Sequence, residues 1–190
     1  MTPSDNPFEL LSPTGPSFAR LPLLQAFNWE ECLATQAPRQ WYVVAFRSIR
    51  SATADPEYLK LLDDLAYDAA MREPGLLLYF RGSLTEHREC LSICVWESQA
   101  KAQAATRLSA HQAAADITDD MYDVFELERW HLIKHQSNGA LELQAAPWEP
   151  AELLHRRRTA TPIGTSVLVD LDIVISHPHM PHAQEPGYSR

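Results

Sequence analysis

Between residues 40 and 134 the chain switches between strand-like and helix-like hydrophobic patterning in a fixed order. That order restricts the fold more than any other feature. Trp41 to Arg50 (WYVVAFRSIR) is dominated by β-branched and aromatic residues, with no breaker inside it. Asp55-Pro56-Glu57 reads as a helix start, with Asp55 as N-cap and Pro56 at the first helical position. Leu59, Leu62, Ala66 and Ala69/Ala70 follow at helical spacing, and the helix is expected to stop before Pro74-Gly75. Gly75 to Arg81 is a second strand, Gly82 to Glu89 a polar connection, and Cys90 to Glu97 a third strand. The short connection predicts an antiparallel hairpin. Ser98 caps a long Ala-rich helix, expected from Gln99 to about Ala115. Its residues Ala102, Ala105, Leu108 and Ala113 offer a small-residue face for a sheet. Tyr122 to Lys134 is a fourth strand.

The order strand, helix, strand, strand, helix, strand is that of a ferredoxin-like α+β fold. Two helices cover one face of such a sheet. The other face is then bare and has to be buried, most economically against a second copy. The expectation is therefore a homodimer of the dimeric α+β barrel type.

This core is expected over residues 40–135, between an N-terminal arm (1–39) and a C-terminal extension (136–190). Pro3, Pro7, Pro13, Pro16 and Pro22 make the first 22 residues an extended or disordered arm, with a short helix within Leu23 to Thr35 ended by Pro38. Leu141-Glu142-Leu143 extends a strand, Pro147 to Pro162 is a loop, and Thr165 to Ser176 is a further strand candidate. The tail from His177 is expected to be flexible.

A formal net charge of -9 works against binding a phosphate backbone, and His155-Arg156-Arg157-Arg158 is too short a basic run to reverse that. The first residues lack a basic region and an apolar core, so no signal peptide is read. No apolar run approaches the roughly 20 residues that span a bilayer. A cytoplasmic protein without nucleic-acid or membrane partners is the expectation. Of the cysteines Cys32, Cys90 and Cys94, the last two are expected to stay reduced. The last two lie four apart on one strand, about 13 Å by strand rise, too far for a disulfide.

Candidate chemistry comes from the strand faces. On the fourth strand Phe125, Leu127 and Ile133 are expected to meet the helices. Tyr122, Val124, Glu126, Glu128 and Trp130 then line the bare face. Cys90, Ser92, Cys94 and Trp96 are taken as the matching set on the third strand. A cavity walled by Trp96, Tyr122, Trp130, Ser92, Glu126 and Glu128 would suit a small hydrophobic or aromatic molecule. A carboxylate buried there would have a raised pKa and serve as a base. The competing reading pairs Glu126 and Glu128 with Arg47, Arg81 or Arg129. His111 has the ordinary pKa near 6.5 that suits proton transfer, while His131 is read as structural. His177, His179 and His182 lie close together, but no cysteine or carboxylate nearby completes a tetrahedral metal site. No phosphate loop, nucleotide fingerprint, nucleophile elbow or His-Glu-x-x-His motif is present, so no cofactor is expected.

Val95-Trp96-Glu97-Ser98, followed by Leu108-Ser109-Ala110-His111, resembles the antibiotic-biosynthesis monooxygenase type of dimeric α+β barrel. Residues 40–135, through the run Tyr122 to Trp130, also resemble an uncharacterised protein family found in fungi. The first resemblance implies cofactor-free oxidation of small aromatic or polyketide substrates or, in one branch, haem degradation. It places a functional His at His111, as general base or, in the haem branch, as iron ligand. The group's catalytic Asn in the first strand has no counterpart between Trp41 and Ser48. The leading reading is a cofactor-independent enzyme with His111, Glu126 and Tyr122 as catalytic residues. The alternatives are a non-enzymatic binding or interaction protein on the same scaffold and a haem-degrading monooxygenase.

Overall fold

The computed structural model describes residues 6–146. The loop, strand, basic run and histidine cluster expected beyond residue 146 lie outside them. In chain order the strands are β1 (Gln40–Arg50), β2 (Leu76–Phe80), β3 (Glu89–Trp96), β4 (Tyr122–Lys134) and β5 (Leu141–Ala145). The helices are α1 (Leu23–Ala26), α2 (Trp29–Leu33), α3 (Pro56–Ala70), α4 (Gln99–Ala105), α5 (Ser109–Asp116) and α6 (Thr118–Met121). Short 3-10 turns precede them at Pro7–Leu10 and Phe18–Arg20.

The sheet order is β2-β3-β1-β4-β5, with every neighbouring pair antiparallel. The first four strands have the ferredoxin-like order: α3 carries the chain from β1 over β3 to β2, the split βαβ crossover. β5 adds an edge outside β4. The start of α3 is set as the sequence predicts. The Asp55 carboxylate accepts the backbone N–H groups of Glu57 and Tyr58 at 3.0 and 3.1 Å, and Pro56 follows.

The structure differs from expectation at two places. The long helix after Ser98 is broken. Thr106 turns its hydroxyl back onto the Gln103 carbonyl (2.9 Å), and Leu108 adopts extended backbone before α5 restarts at Ser109. Leu108 packs against the alanines Ala102 and Ala105, and α5 lies against α3.

The second difference is larger. The face expected to be bare is covered by the N-terminal arm. Phe8, Phe27, Trp29 and Leu33 pack with Trp41, Val43, Ile93, Val95 and Leu132 of the sheet in one apolar core. Their aromatic rings meet edge-on, Phe8–Trp41 at 5.5 Å and Phe27–Phe80 at 5.2 Å between centroids. Cationic side chains of the sheet fasten the arm. Lys134 Nζ donates to the carbonyls of Leu33, Ala34 and Gln36 (2.6, 3.0 and 2.7 Å), and Arg47 donates to those of Ala19 and Leu21 (2.5 and 2.8 Å). The arm supplies in the same chain the cover that was assigned to a second copy, so a bare face no longer argues for a dimer.

Candidate functional site

Strand register decides which candidate residues can meet. β1 pairs with β3 so that Tyr42, Val44, Phe46 and Ser48 oppose Trp96, Cys94, Ser92 and Cys90. These even-numbered residues face the helices: Tyr42, Cys94 and Trp96 are buried there with Ala102 and Ala105. Against β4 the parity inverts, because Val44 opposes Arg129 and Phe46 opposes Leu127. Glu126, Glu128 and Trp130 therefore lie on the arm side, while Trp96 and Ser92 lie on the helix side. The single wall expected from sequence is two walls on opposite faces. One irregularity modifies this split: the register slips between Ile49 and Arg50, so Tyr122 opposes Arg50 with Asp123 as the extra residue. The bulge returns Tyr122 to the helix side, where its ring sits 5.1 Å from that of Phe125.

The helix side holds most of the titratable chemistry. Asp63 occupies the sheet-facing stripe of α3, four residues after Leu59 and three before Ala66. Its carboxylate is held on both oxygens, by the Tyr79 hydroxyl (2.7 Å) and by Arg81 Nε (3.2 Å). Arg81 also donates to Asp64 (2.6 Å) and stacks over the Tyr67 ring at 4.3 Å. Burial pushes the Tyr79 hydroxyl up, and the neighbouring Cys94 and Asp63 add to this. Burial likewise raises the thiols of Cys90 and Cys94 and the Tyr122 hydroxyl, so all four stay protonated at neutral pH. All three cysteines are free thiols.

His111 projects from α5 into this layer. Burial lowers its pKa, opposed by the negative charge of Asp63, so the imidazole is neutral near pH 7. Its Nδ1 is buried and has no hydrogen-bond partner among the described residues. On the same side, Phe46, Phe125 and Tyr122 form an aromatic shelf with centroid spacings of 6.5 and 5.1 Å, and Phe125 is 36% exposed. His131 stands on the same face, its ring 5.7 Å from Tyr42, with Nδ1 bonded to Gln40 at 2.8 Å.

The remaining sequence candidates have other roles. Trp96 is 2% exposed and serves as core, and the Ser92 hydroxyl accepts the Gly82 N–H at 3.1 Å. Neither presents a surface to a ligand. Glu126 is exposed on the arm side. Glu128 pairs with Arg47 (2.5 Å) and accepts the Trp130 indole N–H (3.1 Å), as the ion-pair reading anticipated. Beside this pair an open groove of about 700 Å³ runs between Leu21–Leu24 and Trp130 and Leu143. Asp63, Tyr79 and Arg81 were not singled out from sequence. The usable signal was a carboxylate interrupting the Leu59-Leu62-Ala66-Ala70 stripe. Among the described residues no cluster of three metal-ligating side chains occurs, and no helix is long and apolar enough to cross a membrane.

A family model described as PB2B2.08-like matches residues 5–145. No curated protein sequence matches. Several solved structures resemble the chain. Protein SO0527 from Shewanella oneidensis is 16% identical, over 51% of this chain and 96% of that one, with a TM-score of 0.44. A proposed antibiotic biosynthesis monooxygenase from Nitrosomonas europaea is 13% identical (55% and 97% covered, TM-score 0.41). A point mutant of SnoaB, a cofactor-independent oxygenase from Streptomyces nogalater, is 13% identical (47% and 89% covered, TM-score 0.39).

Proposed function

The chain belongs to the PB2B2.08-like family, and we propose that it is a cofactor-independent enzyme acting on a small aromatic or polyketide-like molecule at the helix side of its sheet. The observation that carries this reading is the buried, unpartnered Nδ1 of His111 on the same side as the aromatic shelf. A buried polar atom without a partner costs roughly 1–3 kcal/mol, so such an atom calls for an explanation. An incoming acidic C–H or O–H supplies one. A neutral imidazole accepts that proton, and Phe46, Phe125 and Tyr122 give a flat ring a surface to lie on. Tyr122, kept protonated by its raised pKa, would donate to an oxygen of the substrate. Glu126 has no part in this chemistry.

Anthrone, a tricyclic aromatic with an ionisable methylene, is a suitable probe. With dioxygen as oxidant it gives anthraquinone and water, and His111 would take the methylene proton. The wild-type protein should accelerate anthraquinone formation, and His111→Ala should lower turnover by about 10²- to 10⁴-fold, the usual contribution of a general base. Full turnover by the variant would refute the assignment.

The arm-side groove supports a second reading, non-enzymatic binding of an apolar molecule. Its polar floor of Arg47, Glu128 and Trp130 is already mutually bonded, so it offers apolar contact and no free proton acceptor. Saturable binding of 1-anilinonaphthalene-8-sulfonate that is lost in Trp130→Ala would favour it. The haem-degrading reading would use His111 as an iron ligand, and a shifted Soret band on adding haemin is its test. A homodimer is retained as a proposal on narrower ground. Among the described residues, the end of the arm-side face near Val124, which is 40% exposed, is open to a second copy, and light scattering on the full chain decides it.

A further inference from the structure

The hydrogen bonds of Asp63 tie α3 to the β2 edge of the sheet. α3 needs an apolar residue on its sheet-facing stripe, yet the stripe carries a carboxylate between Leu59 and Ala66. That carboxylate cannot swing freely, since Tyr79 of β2 holds one oxygen and Arg81 the other, and Arg81 Nη2 also donates to the Asp63 backbone carbonyl (3.3 Å). Arg81 is itself braced by Asp64 and by the Tyr67 ring. α5, which carries His111, packs directly on α3.

We infer that Asp63 is a positioning residue: a carboxylate fixed by Tyr79 and Arg81 that supplies the counter-charge when His111 takes up a proton. The inference rests on the reading of His111 as the base and adds the group that stabilises the resulting imidazolium. A negative charge fixed in advance stabilises a positive one without reorganising when it forms. Asp63 is 42% exposed, so water screens part of its field and the effect is graded. Both α3 and α6 pack against α5. On α3 the other charged groups are Glu57, Lys60, Asp64 and Asp68, of which Lys60 and Asp64 neutralise each other at 2.5 Å. α6 contributes Asp119 and Asp120, both exposed. The tyrosines facing this layer, Tyr79 and Tyr122, are neutral. Arg81 carries the opposing positive charge, bonded to both Asp63 and Asp64, and the negative charge of Asp63 favours the protonated His111 ring.

The test is an NMR titration of the His111 ring in the full chain, comparing wild type, Asp63→Asn and Asp63→Glu. Removing the negative charge should move the His111 midpoint to lower pH, and Asp63→Glu should restore much of it. The rise of anthrone turnover with pH should shift in the same direction in Asp63→Asn. A purely structural Asp63 would alter stability and leave the midpoint in place. Tyr79→Phe, which keeps the charge but frees one oxygen, should give a smaller shift of the same sign and serves if Asp63→Asn does not fold. An unmoved or raised midpoint in the folded variants overturns the inference. The titration needs no turnover. A shifted midpoint in a protein whose His111→Ala variant stays active would fault the reaction and leave the Asp63–His111 coupling standing.

Discussion

The two faces of the sheet are built from different materials. The arm side is sealed by large apolar side chains: Phe8, Trp29, Leu33, Trp41, Val43, Leu91, Ile93 and Leu132 are all at or below 1% exposure. Its polar contacts include caps on backbone carbonyls, made by Lys134, Arg47 and the Trp29 indole, and the Arg47–Glu128 pair. The helix side is thinner. Alanines of α3 and α4 stand over Tyr42, Cys94 and Trp96, and the layer admits Asp63, Tyr79, Cys90, His111 and Tyr122. One face therefore carries most of the apolar burial that stabilises the fold. The other tolerates half-buried titratable groups, and perturbed groups of that kind concentrate where chemistry is done.

If the contrast holds, the most severe effects on stability come from the arm side. Trp41→Ala should cost about 3–5 kcal/mol, read from urea unfolding, because the cavity opens in a close-packed aromatic cluster. A loss below about 1 kcal/mol would mean that the arm is not part of the folded core. Lys134→Met removes the donor to three carbonyls and should cost about 1–3 kcal/mol, with faster amide exchange confined to the arm near Ala34–Gln36. Uniform faster exchange over the whole sheet would contradict its local role.

The helix side should show itself in pH dependence, with a smaller amplitude. The folded-state pKa of His111 lies below its unfolded value, so the unfolded chain binds the proton more readily. The stability contributed by the neutral ring is fully present above about pH 6.5 and is lost as pH falls through the folded-state pKa. Melting temperature should drop over that window in wild type, and the drop should be shallower in His111→Gln. An identical profile in the variant would remove His111 from the buried layer.

How far the sequence could be read follows from the same contrast. The core strands and α3 announce themselves through period and capping, as Asp55-Pro56 does at the start of α3. The resemblance to an uncharacterised family was legible too, over residues 40–135, within the 5–145 that the family model matches. The arm was not, because Phe8, Leu11, Phe18, Phe27 and Trp29 follow no helical or strand period and prolines interrupt them. Its order comes from tertiary packing. The proposed cavity wall failed on register. Alternation along one strand fixes which residues share a face of that strand, while the offset between strands fixes which faces coincide. β4 pairs even with odd and the bulge at Asp123 reverses this for Tyr122, and neither is written in local composition. His111 was singled out from its type and from the resemblance, while the helix break that starts α5 at Ser109 lay hidden in an Ala-rich run.

The central claim is that chemistry belongs to the helix side. Its most direct test is a chemical-shift titration of the full chain with anthraquinone-2-sulfonate, a soluble analogue of the proposed product. Saturable shifts are expected at the His111 ring and the Tyr122 and Phe125 amides, with the Trp130 indole N–H unmoved. Shifts at Trp130 and Leu143 with His111 silent would contradict it and assign binding to the arm-side groove.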